Sequence, residues 1–189
     1  MTGPTSRLAA LALAAGLLLS ATHALTGTRV AANRDAYAAR QLLQIVGRDD
    51  VTVRRVAPAR YALMTDTELT GFIFEVTTRR GYNGRIELWL GVNLAGQVEG
   101  VRVKHHEETP GLGDKIDLAV SDWILGFNGY RLEASSRAAW NVIRDGGDFD
   151  QFSGATITPR AVIHAVRDGL EEFETQKTRW ITEVESSEL

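Results

Sequence analysis

Between Leu8 and Thr28 lie 21 residues without one formally charged side chain at neutral pH. Wound as an α-helix, that run would extend about 31 Å, close to the ~30 Å hydrocarbon core of a bilayer. It has no polar face, so it does not suit the surface of a soluble domain, and at an extreme amino terminus it suits a buried core helix poorly. Two readings remain. A cleaved signal peptide would use Leu8–Leu19 as its apolar core; an uncleaved anchor would use the whole run. Around Ser20–Ala24 the best cleavage site is Thr22-His23-Ala24, a poor one, which favours the anchor. Arg7 precedes the run and Arg29 and Arg34 come after it, so the charge bias across it is weak. Charge alone leaves the orientation ambiguous; with the amino terminus inside, residues 1–28 read as a cytoplasmic stub and transmembrane anchor, and the remaining chain is exported under either reading.

That remainder is long enough for about one domain. The whole chain of 189 residues carries 21 Lys+Arg against 24 Asp+Glu, a net charge of −3. That balance argues against a protein that neutralises nucleic-acid phosphates. With 44% hydrophobic and 24% charged residues the chain is globular in composition rather than disordered. It has no cysteine. Disulfides, Cys-ligated zinc, protein-ligated iron–sulfur clusters and thiol nucleophiles are therefore excluded together.

Hydrophobic periodicity supplies the elements. Ala31–Val46 reads as an amphipathic helix with Tyr37, Leu42, Ile45 and Val46 near one face, stopped by Gly47. Asp49–Leu69 has no clear period and contains Pro58, so residues 29–70 are expected to form a connecting helix and an irregular segment. Gly71–Thr78 alternates weakly, with Phe72, Phe74 and Val76 on one side. Arg85–Val92 alternates cleanly through Ile86, Leu88, Leu90 and Val92. After the turn at Asn93-Leu94-Ala95-Gly96, Gln97–Lys104 returns as a strand whose phase slips near Gly100, which predicts a β-bulge. The result is an antiparallel hairpin with one buried face. Thr158 predicts an N-cap, with Pro159 at the first helical position and Val162, Ile163, Val166 and Leu170 on one face. Residues 71–175 make the main domain, and 176–189 a loose tail. The fold class is α+β, a mainly antiparallel sheet flanked by helices.

Three short stretches carry chemistry. Thr109-Pro110-Gly111-Leu112-Gly113 makes a tight loop able to bring backbone close to a ligand, although a plain connecting turn has the same composition. Asp150-Gln151-Phe152-Ser153-Gly154-Ala155-Thr156 leads hydroxyls onto a helix amino end. Free N–H groups and the positive dipole end favour a phosphate there, with Ser153, Thr156 and Thr158 as donors; small residues packed around an N-cap are the plainer alternative. His105 and His106 adjoin Glu107 and Glu108, but neighbours at a strand end point to opposite faces and cannot easily share an ion. No metal site is assigned.

The pattern Asp150-x-x-Ser153-Gly154-Ala155-Thr156 resembles the flavinylation signature of the periplasmic FMN-binding domain family. Asp145–Val162, Glu108–Asp117, Ser121-Asp122-Trp123-Ile124 and Gly81-Tyr82-Asn83-Gly84 are similar to the G subunits of Rnf/Rsx electron transport complexes. Glu107 departs from that pattern, standing where a basic residue is expected. The resemblance implies FMN joined through its phosphate to Thr156, with Ser153, Gly154, Ala155 and Thr158 beside it. It implies that Thr109, Pro110, Gly111, Leu112 and Gly113 line the flavin pocket, with Tyr82 at its border. Asp150 would be read by the flavin transferase that matures the protein. The implied partners are that transferase and the other subunits of a membrane complex coupling ferredoxin/NAD electron transfer to Na+ or H+ movement. The implied place is the cell inner membrane, single-pass, with the flavin domain periplasmic. No residue of the chain is assigned a catalytic role, because the redox chemistry belongs to the isoalloxazine. A flavin-binding regulatory module or exported reductase outside an ion pump is the alternative that the acceptor motif alone would allow.

Overall fold

Five antiparallel strands succeed one another without a crossover, in the order β1 (Thr52–Ala57), β2 (Arg60–Thr65), β3 (Glu68–Gly81), β4 (Gly84–Asn93) and β5 (Val98–His105). A 30-residue helix, α1 (Ile157–Ser186), follows them among the described residues. Between β5 and α1 the described residues form short 3₁₀ turns at Asp114–Ile116, Asp122–Phe127, Ala134–Ala139 and Ile143–Asp145, with isolated bridges. The computed structural model describes residues 3, 8, 11–23, 25, 26, 42–48, 50–132 and 134–186. The chain divides into two units, Met1–Ala38 and Ala39–Leu189.

In the first unit residues 11–23 are helical, and Thr22 Oγ1 donates to the Leu18 carbonyl at 2.8 Å. Among the described residues no helix is long and apolar enough to cross a membrane. Arg7, Arg29, Arg34, Tyr37 and most of the expected Ala31–Val46 helix lie outside the described residues.

In the second unit the core lies between one face of the sheet and α1. Phe72, Phe74, Val76, Ile86, Leu88, Leu90 and Val92 meet Val162, Ile163, Val166, Leu170, Phe173 and Trp180. The apolar alternation expected for β3 and β4 is therefore present, and its phase is the core phase. Gly169 lies where the helix presses on the sheet, since an added Cβ would stand 2.7 Å from Val76 Cγ2. It permits close approach in the middle of the helix.

The opposite face is covered too, which corrects the expectation of a sheet buried on one side. Residues 42–46 are helical, and Leu42, Ile45 and Val46 pack with Val51, Leu63 and Ile73. Gly47 ends this helix with φ +62° and its N–H on the Leu43 carbonyl at 3.1 Å. Gly91 and Gly100 pair across β4 and β5 and form a notch beneath it. A Cβ on Gly100 would lie 1.9 Å from the Ile45 carbonyl oxygen. The pairing also slips between Gly91 and Val92, so the bulge expected near Gly100 is present.

Two boundaries differ from expectation. The segment expected to be irregular forms β1 and β2, and both belong to the same sheet. Ala62, Leu63 and Met64 are all buried because both faces are covered, so β2 has no period-2 signal to read. Arg60 hides a further position, its guanidinium 4.5 Å over the Trp180 ring. The tail expected to be loose from residue 176 stays helical through Ser186, held by the buried Trp180 and Val184. The last three residues lie outside the described ones.

Candidate functional site

Helix α1 begins two residues earlier than Thr158 and Pro159 suggest. Ile157 is its first residue, which makes Thr156 the N-cap, and the first backbone bond runs from the Arg160 N–H to the Thr156 carbonyl at 3.4 Å. Pro159 is third in the helix, where its missing N–H still costs no intrahelical bond. The amides of Ile157 and Thr158 have no intrahelical partner there. Thr156 is half-buried at this end, just after Gly154, whose φ of +79° turns the chain into the helix.

The loop before it is anchored from below. Phe152 is buried and meets the Trp123 ring edge-on at 5.0 Å, and the Trp123 indole N–H donates to the Asp150 carbonyl at 2.9 Å. The Arg144 N–H donates to Gln151 Oε1 at 3.2 Å. Asp150 and Ser153 are thereby left exposed on a fixed backbone.

Beside Thr156 opens a cavity of about 330 Å³, within the range of small-molecule sites. Helix α1 and its entry loop supply Gly154, Ala155, Thr156, Ile157 and Thr158; the other wall is Glu108, Thr109, Leu112 and Gly113, with Tyr82 from the β3–β4 turn. Loop 109–113 is closed on itself by N–H donation from Leu112 and Gly113 to the Thr109 carbonyl, at 3.1 and 3.0 Å. Leu112 is 45% exposed and Tyr82 67% exposed, so both present apolar surface at the mouth. Pro110, Gly111, Ser153 and Asp150, also named from sequence, lie outside the cavity lining.

Thr158 also lines the cavity; it is buried, and its hydroxyl donates to the Glu108 carboxylate. Glu108, 4% exposed, also accepts the backbone N–H of Tyr82 at 3.2 Å and of Asn83 at 3.0 Å. It is the one carboxylate among the described residues lining the cavity. Sequence reasoning misses Glu108 and Ile157. An acidic residue after a strand reads as solvated; the signals available are Gly81 and Gly113, where an added Cβ would lie 2.7 and 3.0 Å from its carboxylate oxygens. His106 Nδ1 accepts the Glu108 N–H at 3.1 Å, whereas His105 is exposed with Nε2 3.9 Å from Glu107.

The donor set fits a phosphorylated, flat, amphipathic ligand: a hydroxyl and free amides at a helix amino end, next to an apolar wall. The comparisons with known proteins agree with that chemistry. Residues 81–171 match the FMN-binding domain family. The G subunit of the ion-translocating oxidoreductase complex of Vibrio atlanticus is 38% identical over 180 residues, covering 87% of this chain and 86% of the relative. The chain belongs to the family of G subunits of ion-translocating oxidoreductase complexes. Family members from Vibrio cholerae and Escherichia coli are 52% and 50% identical over 111 and 107 residues. Those alignments take in 59% and 57% of this chain and span about half the length of each relative (53% and 52%). Among solved structures, NqrC of Shewanella oneidensis is similar with a TM-score of 0.53 and 25% identity, over 65% of this chain and 60% of that one.

Proposed function

We propose that this chain is the membrane-anchored electron-transfer subunit of an Rnf-type complex and carries one FMN joined through its phosphate to Thr156. The observation that carries this reading is the cavity that brings the N-cap hydroxyl of Thr156 together with loop 109–113 and Tyr82. In the attachment step the bond from Thr156 Oγ to the flavin phosphorus forms as the bond from that phosphorus to the donor's leaving-group oxygen breaks, and the hydroxyl hydrogen departs with the leaving group. The net addition is one FMN less one water. The amides of Ile157 and Thr158 and the positive end of α1 favour the phosphate. Leu112, Ile157 and Tyr82 offer apolar surface to the ring, and Thr109 can hydrogen-bond its polar edge. When bound, the isoalloxazine supplies the electron-transfer chemistry, and the chain sets its position and surroundings.

The anchor is the uncharged run Leu8–Thr28; with its amino terminus inside, the flavin domain lies on the periplasmic side of the inner membrane. Maturation is by a flavin transferase, with exposed Asp150 as a recognition residue on the loop that Trp123 fixes. The partners are the other subunits of the complex, which couples ferredoxin/NAD electron transfer to Na+ or H+ translocation.

The test is co-expression with a flavin transferase in an exporting host, then denaturing gels under ultraviolet light and intact mass of the membrane-purified chain. A fluorescent band with the mass of FMN less water, lost in Thr156→Ala, is expected. A dark band, or a fluorescent one that survives the substitution, would sink the assignment. The amino-terminal mass separates anchor from cleaved signal.

A further inference from the structure

Glu108 is the part of this cavity that flavin attachment leaves unexplained. It is buried at 4% exposure in the wall facing Thr156. No ion pair with a cation is present for it among the described residues. Instead it is held by neutral donors on two separate segments: the Tyr82 and Asn83 amides of the β3–β4 turn and the Thr158 hydroxyl of α1. Space for it is kept by Gly81 and Gly113, since a Cβ on either would stand within 3.0 Å of a carboxylate oxygen. Burying a carboxylate without a cation is costly, and a neutral side chain of similar shape would pack this wall at lower cost. Hydrogen bonds from neutral donors stabilise the charge but do not cancel it.

We propose that Glu108 is a positioning residue whose carboxylate, fixed at the cavity wall, lowers the reduction potential of a flavin bound in this cleft. Adding electrons to the ring adds negative charge. A fixed charge of the same sign, in surroundings of low dielectric, opposes that addition. The inference rests on the functional reading above, because it requires a flavin in the cavity.

The experiment is a spectroscopic redox titration of the full-length, membrane-purified, flavin-loaded chain against a reference dye, comparing wild type, Glu108→Gln and Glu108→Asp. Removing the charge should make the flavin easier to reduce. About a tenfold shift of the equilibrium is expected in Glu108→Gln, roughly 30 mV for a two-electron couple. Glu108→Asp keeps the charge and should stay near wild type. A Glu108→Gln protein at the wild-type potential overturns the proposal; so does a Glu108→Asp protein shifted as far as Glu108→Gln, because shape would then be responsible. Should Glu108→Gln yield no loaded chain, Glu108→Ala decides. It also removes the carboxylate, so the flavin should again become easier to reduce, and an unmoved potential overturns the proposal. A wild-type chain without covalent flavin overturns the functional reading and this inference together, whereas loaded wild type with unmoved variants overturns this inference alone.

Discussion

The second unit is held together in two different ways. In strands β1–β5 and helix α1, backbone ladders and interdigitating aliphatic side chains do the holding, and glycines let the layers touch. Between them, the described residues of 106–156 contain no strand, only short 3₁₀ turns and isolated bridges such as Val142↔Phe149 and Phe152↔Ala155. There a connected set of rings replaces the ladder. Trp123 meets Phe127 and Phe152, Phe127 stacks on Phe149 at 4.7 Å, and Tyr130 and Trp140 close the set at 5.8 Å. Regular backbone thus supplies the platform, and ring packing supplies the irregular wall on which the cavity and acceptor loop are displayed. Binding residues on loops fixed by a rigid scaffold are a general pattern; here the scaffold extends into the loop segment through aromatic contacts.

That contrast can be broken from either side. The largest effect is functional: Thr156→Ala should abolish covalent flavin completely while the thermal melt of the domain stays unchanged, because this half-buried N-cap carries little of the packing. Trp140→Ala should cost about 3–5 kcal/mol in a denaturant titration, with limited proteolysis opening 106–156 before the sheet. Gly100→Ala attacks the regular half, where a Cβ has no room beside the Ile45 carbonyl. It should cost about 1–3 kcal/mol and expose the 42–48 region to protease while flavin loading persists. Equal loss of loading in both variants would mean that the halves are not separable. Trp123→Phe keeps the ring and removes the donor to Asp150, so about 0.5–1.5 kcal/mol should be lost, together with slower labelling by the transferase.

The smallest effect is one of pH. Burial, aided by Arg167 and Arg80, holds the His164 imidazole below its ordinary value of 6.5. As pH falls below about 6.5 the unfolded chain takes up that proton first, so this contribution to stability is present above that pH and lost below it. Melts at pH 7.5 and 5.5 should differ less in His164→Gln than in wild type.

The two regions also differ in how they can be read from sequence. Strands β4 and β5, their bulge and the core face of α1 emerge from period alone, because one face is apolar and the other is not. β1 and β2 do not, because burial on both faces and arginine stems laid over apolar surface erase the alternation. The helix end is hidden by the Glu- and Thr-rich exposed side around Trp180 and Val184. In 106–156 periodicity says nothing. The acceptor loop and loop 109–113 stand out only as a motif, and the helix start is displaced because Thr158-Pro159 is a stronger capping signal in sequence than Thr156. Glu108 escapes notice because a carboxylate gives no hint in sequence that backbone amides 25 and 26 residues away will bury it.

The contacts of Glu108 also bear on how the protein is made. One carboxylate joins the Tyr82-Asn83 turn to the amino end of α1, 50 residues further along the chain than itself. The cavity therefore has no local precursor; it exists only after two long loops have closed on each other, the last of them requiring α1 to be in place. A chain released with α1 undocked would still display Thr156, but without the opposite wall. Flavin seated between the two walls would then count molecules that have completed both closures, making occupancy of the site a record of finished folding.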